Sequence, residues 1–383
     1  MNILLKTKLT DELDFDDEND TTHSTDSKFS SINYNIANSL NNQIQILNKK
    51  SFDSTNKGIL NLEELILCLN SIRKLEPSTF TGFPNLKKLD LSFNKIKELQ
   101  NSKIFKGLTN LKELNLNLNS LNRIEKETFS YLQNLELLDL SSNFIQSVEK
   151  KSFIKLEQLN ELNLRNNSLR LNDSSNNKSL MSPFSLLKSL KILNLAENQI
   201  DFVHKYIFKG LNNLTHLILH RNKIRKLEEN CFKFSEEDNE ESNLIKLDLS
   251  INQINKLEKN LFNGLTNLVE LVLFSNQISS IDELCFQDLK SLTKLDLSCN
   301  QIEYIRKEMF LGLINLQNLI ISNNSLCDLD ENCFYELENL KKLDLSYNRI
   351  EGLKMNNFLN LKNLEEMTIR VNEIVHLDHC TFI

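Results

Sequence analysis

Apolar and polar positions along this chain fall into one recurring phrase rather than into separate blocks. From residue 62 it reads Leu62-x-x-Leu65-x-Leu67-x-x-Asn70, and it returns as Leu86, Leu89, Leu91, Asn94 and as Leu111, Leu114, Leu116, Asn119. The Asn then recurs as Asn143, Asn167, Asn198, Asn222, Asn252, Asn276, Asn300, Asn324, Asn348 and Asn372. The intervals are 24, 25, 24, 24, 31, 24, 30 and then 24 five times. Alternating Leu pairs such as Leu138 and Leu140 predict a short strand with these side chains on one face and the intervening residues on the other. Ten residues after nearly every Asn stands a Phe, as in Phe80, Phe129 and Phe153; Phe105 comes one residue late and Phe184 is displaced by an insertion. Thirteen strands stacked at about 4.8 Å predict an inner arc of roughly 60 Å. No coil can bury its own apolar face, so stability must come from its neighbours.

The phrase L-x-x-L-x-L-x-x-N is the signature of leucine-rich repeats, and the chain resembles that family over roughly residues 33–383. Its Phe-x-x-Leu half, as in Phe129 to Leu132, resembles the 24-residue class of animal receptor ectodomains and matrix proteins. The resemblance implies an α/β-type solenoid. That is a right-handed horseshoe of about 13–14 repeats, with a parallel concave sheet and an irregular or short-helical convex side. The Asn would bond backbone groups left unpaired at the turn, forming a buried ladder, and the Phe would form an aromatic spine on the wider side.

Composition agrees with a repeat. The 383 residues include only 7 Gly, 3 Pro and no Trp, but about 55 Asn, so Asn does the punctuating. Residues 1–31 lack the phrase, and the run Asp11 to Glu18 is acidic, which predicts a disordered acidic and polar tail. The solenoid is expected over 32–383, with 32–61 as a degenerate first repeat. There Asn42, Ile44, Leu47 and Phe52 align with Asn143, Ile145, Val148 and Phe153, placing Tyr34, Ala37 and Ser39 at the strand marks. Insertions near 171–182 and 234–242 read as solvated excursions. The chain ends at Phe382-Ile383 without a polar capping repeat. Met367, Ile369, Ile374 and Leu377 are therefore expected to face solvent across an open edge, as in a fragment of a longer protein.

A net charge of −7 with interspersed signs argues against a nucleic-acid partner. No stretch of 18 apolar residues predicts membrane insertion. Met1 to Leu9 are too short in apolar residues for a secretory signal, so the chain as written reads as cytoplasmic. A fragment would instead fit an extracellular or cell-surface protein. Cys231, Cys285 and Cys333 each precede a Phe where other repeats place Thr79, Thr128 or Ser152, a small and half-buried slot. Two repeats separate neighbouring slots by about 10 Å, too far for a disulfide. His376-x-x-His379-Cys380 lacks further ligands, and His216 and His220 lie roughly 13 Å apart, so no metal is expected. No phosphate loop or nucleophile–base set occurs, and we expect no cofactor and no enzyme. Sequons occur at Asn172, Asn177, Asn213 and Asn323, and they matter only in a secreted protein.

The face opposite the core displays the residues six, four and two before each Asn. Lys246, Asp248, Ser250 is repeated as Lys294, Asp296, Ser298 and as Lys342, Asp344, Ser346. Between these lie His216, Ile218, His220, then Glu270, Val272, Phe274, then Asn318, Ile320, Ser322. This two-repeat super-period points to duplication of a 48-residue pair. It places Glu270 between Lys246 and Lys294, and exposes Val272 and Phe274 on a rigid sheet. The expected function is a protein-interaction scaffold that docks an unidentified protein partner on the concave sheet. The candidate contacts are His216, Ile218, His220, Glu270, Val272, Phe274, Ile320 and Arg370. The alternative is a piece of a receptor or adhesion ectodomain.

Overall fold

A phrase with two inward Leu one residue apart is long enough for a three-residue strand and no more. In the computed structural model, which describes residues 36–39, 42–52, 59–100, 102–171, 182–235, 241–379 and 381, these strands stack in chain order. They form one parallel sheet of 14 among the described residues. We number them β1 (Ile36–Asn38), β2 (Glu64–Ile66), β3 (Lys88–Asp90), β4 (Glu113–Asn115), β5 (Leu137–Asp139), β6 (Glu161–Asn163) and β7 (Ile192–Asn194). The second half continues as β8 (His216–Ile218), β9 (Lys246–Asp248), β10 (Glu270–Val272), β11 (Lys294–Asp296), β12 (Asn318–Ile320), β13 (Lys342–Asp344) and β14 (Glu366–Thr368). The central Leu of each strand from β2 to β13 faces its counterpart, as in Leu65, Leu89, Leu114 and Leu138. Ala37 of β1 lies opposite Leu65. The solenoid expected from the repeat is therefore present. The wider side has no α-helix among the described residues, only turns, short two-residue strand pairs and two single 3-10 turns. The acidic segment 1–31, residues 172–181 and 236–240 of the two insertions, and Phe382 lie outside the described residues.

The Asn ladder explains why so many polar amides sit at the edge of an apolar core. Asn143 Nδ2 donates to the carbonyls of Leu140 and Ser141 in its own coil and of Leu116 in the preceding one, at 3.0–3.1 Å. Its Oδ1 accepts from Leu121 N of the preceding coil at 2.9 Å. The same four bonds recur at Asn94, Asn119 and Asn198. A single side chain thus satisfies its own turn and clamps it to the coil before.

The Phe column is equally regular. Phe80, Phe105, Phe129, Phe153 and Phe184 stack with centroids 5.9–6.4 Å apart. Phe184 is out of place in the sequence but back in the column in space. Phe232, Phe262 and Phe286 form a second stack, and Phe310, Phe334 and Phe358 a third. The slot before the Phe is buried rather than half-buried: Cys231, Cys285 and Cys333 are each at most 2% exposed. The reason is that the slot faces the preceding coil. There Ser152 Oγ donates to Ile124 O at 3.0 Å, and Thr79 Oγ1 to Leu47 O at 3.2 Å. Burial pushes the Cys285 and Cys333 thiols well up, which keeps them protonated. At the last coil, Met367, Ile369 and Ile374 are half-buried against the core, whereas Leu377 is exposed.

Every residue before a ladder Asn adopts a left-handed backbone, with φ from 51° in Leu118 to 57° in Asn323. This kink turns the chain so that the next side chain enters the core. Asn and Ser tolerate it, but the β-branched Ile251 at φ 53° does not without strain. Ile251→Asn should therefore stabilise the protein by about 1 kcal/mol, read as a higher urea midpoint. An unchanged or lower midpoint would mean that the exposed Ile side chain compensates by packing.

Candidate functional site

All eight candidate residues lie on or beside the inner sheet, and their setting follows from strand alternation. Leu217, Leu247, Leu271, Leu295 and Leu319 point inward and are fully buried. Their neighbours His216, Ile218, Glu270, Val272 and Ile320 occupy the other face and are half-buried. His220 and Phe274 follow two residues after their strands and are also half-buried, while Arg370, after β14, is exposed. Val272 and Phe274 are thus not the exposed apolar pair expected. Their neighbours on the adjacent coils shield part of each side chain, an effect that strand parity alone does not reveal.

Across the sheet, the column six before each Asn runs His216, Lys246, Glu270, Lys294, Asn318, Lys342, Glu366. Glu270 bridges its neighbours, with Lys246 Nζ at 2.8 Å and Lys294 Nζ at 3.0 Å. Lys342 pairs with Glu366 at 2.7 Å, and Lys88 with Glu113 at 3.5 Å. Partial burial works against ionisation of Glu270, but the two lysines outweigh it and hold its carboxyl below the ordinary value. Burial lowers the His216 imidazole, and Lys246 adds to the effect over the opposing Glu270. Burial also lowers His220, partly offset by Asp248. Both imidazoles therefore titrate below 6.5 in the folded chain. As pH falls through 6.5, the unfolded chain takes up these protons first, so stability declines on the acid side. An NMR titration should place both midpoints below 6.5, and a higher midpoint for either would contradict this setting.

The column four before each Asn has a different logic. Asp90, Asp139, Asp248, Asp296 and Asp344 each accept, on Oδ1, the backbone N–H two residues on, at 2.8–3.0 Å. Asn115, Asn163 and Asn194 make the same bond at 3.0–3.1 Å. This side-chain turn ends the strand and leads into the left-handed residue.

Two features escaped the sequence reading. Leu69, Phe93 and Leu118, immediately before their ladder Asn, are more than 40% exposed along one rim, with Phe144 beyond them. The left-handed kink tips these side chains outward. Apolar residues there, where other repeats place Ser142, Asn166 or Glu197, were the available signal. The opposite rim carries a second amide ladder: Asn85 Nδ2 donates to Leu60 O, Asn110 to Pro84 O and Asn134 to Thr109 O, at 2.8–2.9 Å. Beside it runs an open groove of about 640 Å³, where Glu63 pairs with Lys87 and Glu136 with Lys112, each at 2.8 Å. Among the described residues, no three His, Cys, Asp or Glu are grouped closely enough to hold a metal ion. No helix among them is long and apolar enough to cross a membrane.

A continuous parallel sheet backed by an Asn ladder and a Phe column defines a leucine-rich-repeat solenoid. The family described as "Leucine rich repeat" matches residues 61–117, 109–169, 188–236, 242–302, 290–350 and 338–383. The chain belongs to this family. No curated protein sequence matches it. Among solved structures it is similar to a leucine-rich repeat protein of Leptospira interrogans, with a TM-score of 0.66, 28% identity, and 84% of this chain and 76% of that one covered. It is similar to an internalin of Listeria monocytogenes, with a TM-score of 0.61, 22% identity and coverage of 85% and 84%. A chain of the Drosophila Toll–Spatzle complex gives a TM-score of 0.66 at 24% identity, covering 84% of this chain but 46% of that one. The fold is typical of protein-binding scaffolds and receptor ectodomains, and its families are typically non-enzymatic interaction modules.

Proposed function

We propose that this protein is an interaction scaffold that holds a protein partner along the inner sheet from β8 to the residues after β14. The observation behind this reading is the unbroken register of that sheet, which fixes His216, Ile218, His220, Glu270, Val272, Phe274 and Ile320 on one face. Half-buried side chains on rigid strands lose little conformational freedom when a partner arrives, which favours binding. Arg370 extends the face at its last coil. Capture of the cellular partner should be abolished by combining Phe274→Ala with His220→Ala, while the circular dichroism spectrum stays unchanged. Unchanged capture, with loss on Phe93→Ser and Phe144→Ser instead, would move the site to the apolar rim.

A second reading, an extracellular receptor or adhesion ectodomain, draws support from the likeness to a chain of the Toll–Spatzle complex. Cell-surface biotinylation of intact cells decides between it and an intracellular scaffold: labelling supports the ectodomain, and protection excludes it.

A further inference from the structure

The column of Asp residues carries a charge that its structural role does not require. The strand-ending turn needs one carbonyl-type oxygen, and Asn115, Asn163 and Asn194 supply it as neutral amides. Yet Asp90, Asp139, Asp248, Asp296 and Asp344 are carboxylates, and none has a Lys or Arg ion-pair partner among the described residues, although the lysines stand one column away. Those lysines are committed to glutamates: Lys246 and Lys294 to Glu270, Lys342 to Glu366. From β9 to β14 the outer column thus pairs its three lysines with two glutamates, and the central column keeps three carboxylates with no cation bonded to them.

Register adds a second regularity. In strand order the central column reads Ile66, Asp90, Asn115, Asp139, Asn163, Asn194, Ile218, Asp248, Val272, Asp296, Ile320, Asp344. From β3 to β13 every second strand bears an Asp, with Asn194 standing once in its place. From β9 to β13 the strands between them bear Val272 and Ile320. Alternate strands lie about 10 Å apart, less toward the hollow of a curved sheet. A fully extended β-peptide repeats its facing side chain about every 7 Å, and an α-helix its heptad about every 10.5 Å. A polyproline II chain repeats every three residues, about 9.3 Å, which fits the carboxylate spacing.

Deepening the proposed concave binding face, on which it rests, we propose that β9 to β13 bind a polyproline II segment with Lys or Arg at every third position, lying along the stacking direction. Its cations meet Asp248, Asp296 and Asp344. Its prolines and the aliphatic stems of its basic residues cover Val272 and Ile320, and Phe274 offers a flat surface to a ring or a cation.

The test uses the whole chain and a labelled (Lys-Pro-Pro)4 peptide, with fluorescence anisotropy at physiological salt. A control peptide of the same composition has its four Lys adjacent at one end. The regular peptide should bind at least fivefold more tightly than the control. Combining Asp248→Asn, Asp296→Asn and Asp344→Asn, which keeps the turn-ending oxygens, should reduce it at least tenfold, to the level of the control. Equal affinity for the two peptides, no binding of either, or indifference to the triple variant would overturn the assignment. If the peptide fails while Phe274→Ala with His220→Ala still abolishes partner capture, the face binds a partner of other chemistry. Only the polyproline assignment then falls.

Discussion

Replacing Asn143 by Leu should destabilise the protein by about 3–5 kcal/mol, on the basis of about 1–3 kcal/mol for each buried polar group left unpaired. Asn143 is 5% exposed and serves three carbonyls and one N–H. Leu fills the volume but leaves the Leu121 N–H without an acceptor and takes the Nδ2 donor from all three carbonyls. Asn143→Asp should be worse still, because a carboxylate would face those same carbonyl oxygens. Since each coil touches only its neighbours, the damage should be local. Urea unfolding is expected to lose its single transition, with one part of the array melting first. A loss under about 1 kcal/mol for Asn143→Leu would show that water replaces the amide, and the ladder would then be incidental to stability.

Phe262→Ala should cost about 3–5 kcal/mol, the usual range for removing a buried aromatic side chain. Phe262 is 1% exposed and lies between Phe232 and Phe286, with both centroids 6.0 Å away. The substitution removes two stacked contacts and opens a cavity spanning three coils. Phe262→Leu should recover more than half of the loss, because most of the volume returns without the ring contacts. Thermal or urea unfolding of the pair separates packing volume from ring stacking. Equal stability of the two variants would show that filling the column contributes nothing.

Register was the most legible property of this chain. Thirteen Asn and their partner Leu fix which residues face inward, and Glu270 stands between Lys246 and Lys294 as the spacing required. Exposure was less legible. Phe274 looks free by parity yet is half-buried, whereas Leu118 shares the parity of the inward Leu114 and Leu116 yet is tipped outward by a φ of 51°. The backbone angle at one position decides the difference, and no apolar pattern encodes it. The half-buried slot expected for Cys231, Cys285 and Cys333 failed for a related reason. A single coil shows which residue precedes the Phe, but burial there is imposed by the carbonyls of the coil before. The second amide ladder at Asn85, Asn110 and Asn134 was hidden by abundance, since Asn is common throughout the chain.

The alternation of Asp with aliphatic side chains along the hollow sheet also restricts how such an array can change length. Loss of one coil between β9 and β13 would set two carboxylates on adjacent strands, about 5 Å apart, or would join two aliphatic strands and remove the acidic position between them. Loss or gain of two coils keeps the phase. In this stretch the heritable unit of change is therefore the couple of coils, and lengths differing by about 48 residues are the ones the charge pattern tolerates.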